Sequence, residues 1–221
     1  MNYLSFDVGI KNLAYCILTP EKNIVEWNII NLNKNPICQV TLQKKCQKQA
    51  TYHVKGDTVE YCCTAHKNKF KNVKKIKGED LFQLSQRCLK ELNMIDVSTV
   101  KCVLIENQPA LKNPTMKSIQ MIIYTFFILQ GVMNESSTIQ EVFMVNARNK
   151  LKVYKGPVII CPFNEDKKNK YKKNKFLSIK YTEKMIQEED NNFQKIFETS
   201  KKKDDLADAY LQGIYWIDKI K

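Results

Sequence analysis

The 221-residue chain has almost no arginine: Arg87 and Arg148 are all it holds in a Lys and Arg total of 36. Bidentate reading of base edges favours arginine, so a cationic surface built from lysine points to sequence-independent contact with phosphates. Six Gly and six Pro exclude a collagen-like or mucin-like chain. No apolar run reaches the length of a membrane span, about 20 residues; the most apolar stretch, Ile119 to Leu129, is too short. No basic-then-apolar leader opens the chain, because Asp7 interrupts the first apolar run, and an intracellular protein is therefore expected. Without an export signal, the eight Cys are expected as reduced thiols or metal ligands rather than as a disulfide framework.

What is present is an ordinary globular balance, 43% hydrophobic and 27% charged, enough for one sizeable domain carrying a small inserted module. The net charge of +13 is unevenly spread. Lys44 to Lys77 holds ten Lys against Asp57 and Glu60, and Lys150 to Lys180 holds ten Lys against Glu165 and Asp166. Each window is +8, which leaves the rest of the chain slightly acidic. A near-neutral body with two basic stretches suits a polyanion, most often nucleic acid.

The apolar patterning predicts strands over Asn2 to Val8, Leu13 to Leu18 and Ile24 to Leu32, close enough in sequence to form an antiparallel meander. Pro36 to Lys77 breaks the pattern and reads as an insertion, so the chain divides into 1–35 with 78–221, and 36–77. Gly78 to Met94 has helical spacing, with Leu81, Leu84, Cys88, Leu89 and Leu92 on one stripe. Val100 to Ile105 reads as a central strand, Asn113 to Gln130 as a core helix opened by Pro114, and Glu141 to Val145 as a strand. Lys155 to Lys180 reads partly as loop, Tyr181 to Glu198 as weak helix and Asp204 to Ile220 as a final helix. This order predicts a mixed α/β sheet of five strands, the first three antiparallel, with helices on both faces.

Four carboxylates fall where apolar neighbours make them costly. Asp7 ends the first strand, Glu106 ends Val103-Leu104-Ile105-Glu106, and Asp205 and Asp208 share a face at the start of the last helix. Clustered carboxylates repel unless a cation joins them, and oxygen ligands suit Mg²⁺ or Mn²⁺. Two such ions can cleave a phosphodiester.

Asp7-Val8-Gly9-Ile10-Lys11-Asn12-Leu13-Ala14, Ile105-Glu106-Asn107-Gln108 and Lys202-Lys203-Asp204-Asp205-Leu206-Ala207-Asp208-Ala209 together resemble the motifs of RuvC-like Holliday junction resolvases, nearest to the poxvirus and large-DNA-virus type. The resemblance implies an RNase H-like fold and a homodimeric, Mg²⁺-dependent endonuclease making paired cuts in four-way DNA junctions, with the Ile119 to Leu129 helix serving as core or as a dimer surface. It places two Mg²⁺ (or Mn²⁺) on Asp7, Glu106, Asp205 and Asp208, with Lys203 near the scissile phosphate and Lys11, Asn12, Lys150 and Lys202 on the DNA. For a viral protein it implies the host cytoplasm or a viral replication site, with nucleus or mitochondrion as alternatives.

The insertion departs from the poxvirus pattern. Cys38 and Cys46 are followed by Cys62, Cys63 and His66, soft or borderline ligands at pair spacing, which suit one structural Zn²⁺. Cys38, Cys46, Cys63 and His66 are the expected set, with Cys62 in place of Cys63 left open. A hairpin turn is expected at Lys55-Gly56-Asp57 between the ligand pairs. Two other functions remain open: another RNase H-like nuclease, acting on hybrids or flaps or YqgF-like, and a non-catalytic zinc-containing DNA-binding protein.

Overall fold

The computed structural model describes residues 1–54, 60–76, 79–111, 113–163 and 169–220. The chain forms two compact units, Met1–Leu32 with Leu81–Lys221, and Asn33–Asp80.

In the larger unit, β1 (Asn2–Asp7), β2 (Leu13–Leu18) and β3 (Ile24–Ile30) form the antiparallel meander. In the smaller unit, β4 (Tyr52–Val54), β5 (Glu60–Cys62) and β6 (Val73–Lys75) form a three-stranded antiparallel sheet ordered β5-β4-β6. The larger unit continues with α1 (Leu81–Leu92), β7 (Val100–Glu106), α2 (Pro114–Phe127) and β8 (Glu141–Val145). It ends with α3 (Lys170–Met185), α4 (Asn191–Thr199) and α5 (Lys203–Ile220). Its five strands are ordered β3-β2-β1-β7-β8, with β1, β7 and β8 parallel.

Strand alternation sorts the side chains between two helical layers. Leu4 and Phe6 of β1, Leu13, Tyr15 and Ile17 of β2, and Val103 and Ile105 of β7 pack with Leu84, Cys88 and Leu92 of α1 and Ile119, Ile123 and Phe127 of α2. The opposite face carries Ala14, Cys16 and Leu18, covered by Leu206, Tyr210, Leu211 and Ile214 of α5 and Phe197 of α4. Because β2 and β7 are covered on both sides, they read as continuous apolar runs. At Gly213 an added Cβ would meet Leu18 Cδ1 at 2.5 Å, so α5 lies almost on the strand. Buried Gln212 fixes the register: its Nε2 donates to Ser5 Oγ and to the Phe6 carbonyl, both at 3.1 Å.

The structure refines three expectations. A long helix, α3, begins at Lys170 inside the stretch read partly as loop, and Tyr181 to Glu198 is the end of α3 and a separate α4. The residues α3 buries are Ser178 and Thr182, so no apolar stripe announces it. Leu81 and Leu89 of the predicted α1 stripe are 45% and 39% exposed. Core burial on α2 falls on Ile119, Ile123 and Phe127, whereas Met121 and Leu129 are 41% and 52% exposed. Leu89, Met121, Ile122, Phe126 and Leu129 line an apolar groove of about 580 Å³. The Lys55-Gly56-Asp57 turn lies outside the described residues, although β4 and β5 do pair as a hairpin would.

Candidate active site

Asp7 and Glu106 end the adjacent parallel strands β1 and β7, one residue beyond the paired Phe6 and Ile105. Phe6 and Ile105 face α1 and α2, so by alternation the two acids face α5. On that side the first turns of α5 present Asp205 and Asp208, three residues apart. The start of α5 is anchored through Trp27 of β3, whose Nε1 donates to the Leu206 carbonyl at 3.0 Å and whose ring stacks on Phe197 at 5.2 Å. Distant segments thus deliver all four acids to one cleft of about 540 Å³ at the C-terminal edge of the parallel strands, where open α/β sheets place their ligand sites.

The electrostatics are those of acids pressed together out of water. Burial, reinforced by Glu106, pushes the Asp7 carboxyl well up, and the two share a hydrogen bond. Burial raises Asp208 as well, against the pull of Lys150. Asp205 is pushed up to about 6 by burial and by the neighbouring Asp204. Asp205 Oδ2 and Asp208 Oδ1 are buried with no hydrogen-bond partner. Such orphaned oxygens are expensive unless a cation completes them. A hard divalent ion fits this donor set, which is entirely carboxylate oxygen.

Lys150, expected only to touch DNA, stands inside the cluster. Its Nζ lies 2.5 Å from Asp208 Oδ2 and 3.8 Å from Glu106 Oε1. Burial alone would depress its pKa, but Asp208, Asp7 and Glu106 reverse that and raise it. Lys150 sits in the 3₁₀ segment Ala147–Val153 that follows β8. Val145, the last residue of β8, pairs with Glu106, so the chain beyond it is delivered to the same sheet edge. That strand-end position is the signal that would have found Lys150.

The other expected residues divide. Lys11 and Asn12 line the cleft, as does Arg148. Lys202 lies beside it, its Nζ 3.9 Å from Asp205 Oδ2. Lys203, expected near the scissile phosphate, points elsewhere: its Nζ is 4.0 Å from Glu183 and sits over the Phe197 ring. The register of α5 explains this, since presenting Asp205 and Asp208 to the strands turns position 203 toward α3 and α4.

Two glutamines that the motif reading left without a role support the acids. Gln108 Nε2 donates to Glu106 Oε2 at 2.6 Å and to the Val8 carbonyl at 3.4 Å. Buried Gln120 of α2 accepts from the Gln108 backbone N–H at 2.8 Å. Asp204, not among the expected ligands, lines the cleft and pairs with Lys175 of α3.

This architecture matches solved structures. The yeast mitochondrial Holliday junction resolvase Ydc2 superposes with a TM-score of 0.54 at 14% identity, over 97% of this chain and 78% of that one. The fowlpox virus Holliday junction resolvase superposes with a TM-score of 0.53 at 16% identity, over 99% of each chain. The chain shares the fold of these two proteins. A structure of the fowlpox virus resolvase with its substrate Holliday junction DNA also matches, with a TM-score of 0.50 at 19% identity, over 100% of this chain and 99% of that one. In sequence, the uncharacterized protein L451 of Acanthamoeba polyphaga mimivirus is 32% identical over 254 residues. The match takes in 95% of this chain, which spans about 60% of that relative's length. No family model matches the chain.

In the smaller unit, Cys38, Cys46, Cys63 and His66 form a group able to hold a metal ion, their ligand atoms all within 4.8 Å of one another. Cys38 Sγ and Cys63 Sγ lie 3.4 and 3.6 Å from His66 Nδ1, and Cys46 Sγ lies 4.0 Å from Cys63 Sγ. A tetrahedral ion with 2.3 Å bonds to sulfur separates its donors by about 3.8 Å, so the group is already close to ligand geometry. Burial would raise the Cys38 thiol, but hydrogen bonds from His66 and from the Val40 and Cys63 backbones bring it down to about 6. Cys62 is fully buried at the end of β5 and is not in the group.

Proposed function

We propose that the chain is a structure-selective DNA endonuclease that resolves four-way junctions by paired, metal-dependent phosphodiester hydrolysis. The observation that carries this reading is the convergence of Asp7, Glu106, Asp205 and Asp208, with two orphaned carboxylate oxygens, in a cleft also lined by Lys11, Asn12 and Arg148. The solved relative in complex with junction DNA shares the fold and supports the choice of substrate.

The four acids would hold two Mg²⁺ or Mn²⁺ ions. When bound, such ions lower the pKa of water and offset charge on the leaving oxygen. Lys150 favours the ionised form of Asp208, orients it and places a positive charge beside the incoming phosphate. Gln108, braced by Gln120, holds the Glu106 carboxylate. Lys11, Asn12 and Arg148 at the cleft, with Lys202 beside it, bind the backbone without reading sequence. The products would carry 5′-phosphate and 3′-hydroxyl ends. In the smaller unit, Cys38, Cys46, Cys63 and His66 would hold a structural Zn²⁺. Two opposed cuts need two active sites, and the exposed apolar groove along α1 and α2 offers a second copy a surface on which to form a homodimer.

The test is cleavage of a synthetic mobile four-way junction beside matched duplex, flap and RNA–DNA hybrid substrates in Mg²⁺. Symmetric nicking of the junction alone is expected, and hybrid-specific cutting would replace this reading with another RNase H-like nuclease. Asp7→Asn should abolish cleavage while leaving junction binding intact.

A further inference from the structure

The small sheet has two unlike faces. Tyr52, Val54, Cys62 and Val73 pack on the core that contains Cys38, Cys46 and Cys63. Residues directly opposite one another in a ladder share a face, and successive residues alternate. His53 of the central strand β4 stands opposite Tyr61 of β5 on one side and Lys74 of β6 on the other. Tyr61, His53 and Lys74 therefore form a row across the face turned away from the cysteine cluster. His53 and Tyr61 are partly exposed and Lys74 is exposed.

The unit that carries this row is strongly basic. Asn33–Asp80 holds eleven Lys and no Arg against Asp57, Glu60, Glu79 and Asp80, a net of +7. Lys44, Lys45, Lys48, Lys69 and Lys71 are also exposed. Two adjacent aromatic rings flanked by a cation, on a strongly basic unit, match what a nucleic-acid strand requires: flat surfaces for stacking bases and ammonium groups for phosphates. An acidic protein would use the charge and leave the aromatic rings without a purpose. A blunt duplex keeps its bases stacked inside and could not reach them.

We propose that the Tyr61–His53–Lys74 face binds single-stranded or unpaired nucleic acid, stacking bases on His53 and Tyr61 and taking phosphates on Lys74 and neighbouring lysines. The choice of a DNA strand as ligand rests on the nuclease reading; the geometry of the face does not. All three residues lie within the smaller unit, Asn33–Asp80.

The experiment uses the full chain in the Asp7→Asn background with Mg²⁺ omitted, so that no cutting occurs. Binding of fluorescein-labelled dT30, a blunt 30-bp duplex and poly-glutamate is followed by anisotropy over a salt series. His53→Leu with Tyr61→Leu should weaken dT30 binding at least tenfold, since each stacked base contributes about 1–3 kcal/mol, and should move duplex binding less than twofold. Lys74→Glu, an exposed charge reversal that leaves both rings in place, should lower the salt slope on dT30 by about 0.7 or more. An unchanged zinc-to-protein ratio and circular dichroism spectrum establish that the variants are folded. If folded variants bind dT30 like the parent, or if poly-glutamate alone loses affinity, the proposal is wrong. Junction cleavage by the same changes in an otherwise natural chain separates the two readings: loss of strand binding in a protein that never cuts junctions overturns only the nuclease assignment, and intact strand binding in one that does overturns only the sheet-face site.

Discussion

Asp205 illustrates what a crowded acid costs. Its carboxyl is raised from 3.8 to about 6, so the folded protein holds that proton more tightly than the unfolded chain does. A group shifted in this direction costs nothing while protonated in both states, and stability is lost as pH rises from about 4 to about 6. At about 1.4 kcal/mol per pKa unit the full cost is of order 3 kcal/mol. Asp205→Asn should therefore stabilise the Mg²⁺-free protein by about 1–3 kcal/mol at pH 7.5 and leave it unchanged below pH 4, as read by urea denaturation at each pH. Millimolar Mg²⁺ should raise the stability of the natural protein more than that of the variant, because the ions relieve the same repulsion. Lys150 offsets part of that repulsion at Asp208 and Glu106, but the Asp205 Oδ2 atom has no hydrogen-bond partner. The carboxylates were legible as residues because acids at strand ends and on one helix face are chemically out of place. Lys150 was not, because one lysine among ten in a basic window carries no mark of where its ammonium goes.

Among the elements, α5 has the most to do. It presents Asp205 and Asp208, covers one face of the sheet, and is locked to β1 by Gln212. Its contact at Gly213 leaves no room: an added Cβ would stand 2.5 Å from Leu18 Cδ1 and 3.3 Å from Ser5 Cβ. Gly213→Ala gains about 1 kcal/mol of helix propensity and pays more in overpacking, about 1–3 kcal/mol. A net loss of up to about 2 kcal/mol is expected in chemical denaturation, with weaker Mg²⁺ binding because the first turns of α5 shift away from Asp7 and Glu106. The helix was legible from its apolar spacing. α3 was not, because what it buries is Ser178 and Thr182 rather than an apolar stripe. The α1 and α2 stripes misled in the other direction. Helical spacing marks which residues share a face without saying whether that face is covered, and here Leu89 and Met121 line an open groove.

At the scale of the whole molecule, on the proposed reading the two units use metals for different ends. The smaller unit has few apolar residues apart from its cysteines, so its order is expected to depend on an ion held by Cys38, Cys46, Cys63 and His66. Purified protein should contain about one zinc per chain by elemental analysis. Cys63→Ser should abolish zinc retention and melt the β4–β6 sheet, whereas Cys62→Ser should keep the zinc and lose only the packing of a small buried side chain. Stripping zinc with a strong chelator should leave the larger unit folded, since its apolar clusters are built without those residues.

Sequence alone determined the kinds of elements, the two basic stretches, the acids that have no business in apolar neighbourhoods, and the soft-ligand group of the insertion. Period, composition and spacing survive in one dimension because each is read along the chain without knowing how distant segments pack. Only the tertiary structure decided that Lys150 enters the cleft while Lys203 turns to Glu183, that Cys63 rather than Cys62 faces His66, and that Gln120 braces the loop that holds Glu106. Each of those choices follows from the rotation of one helix or strand about its axis, and that rotation is set by the packing of distant segments against one another.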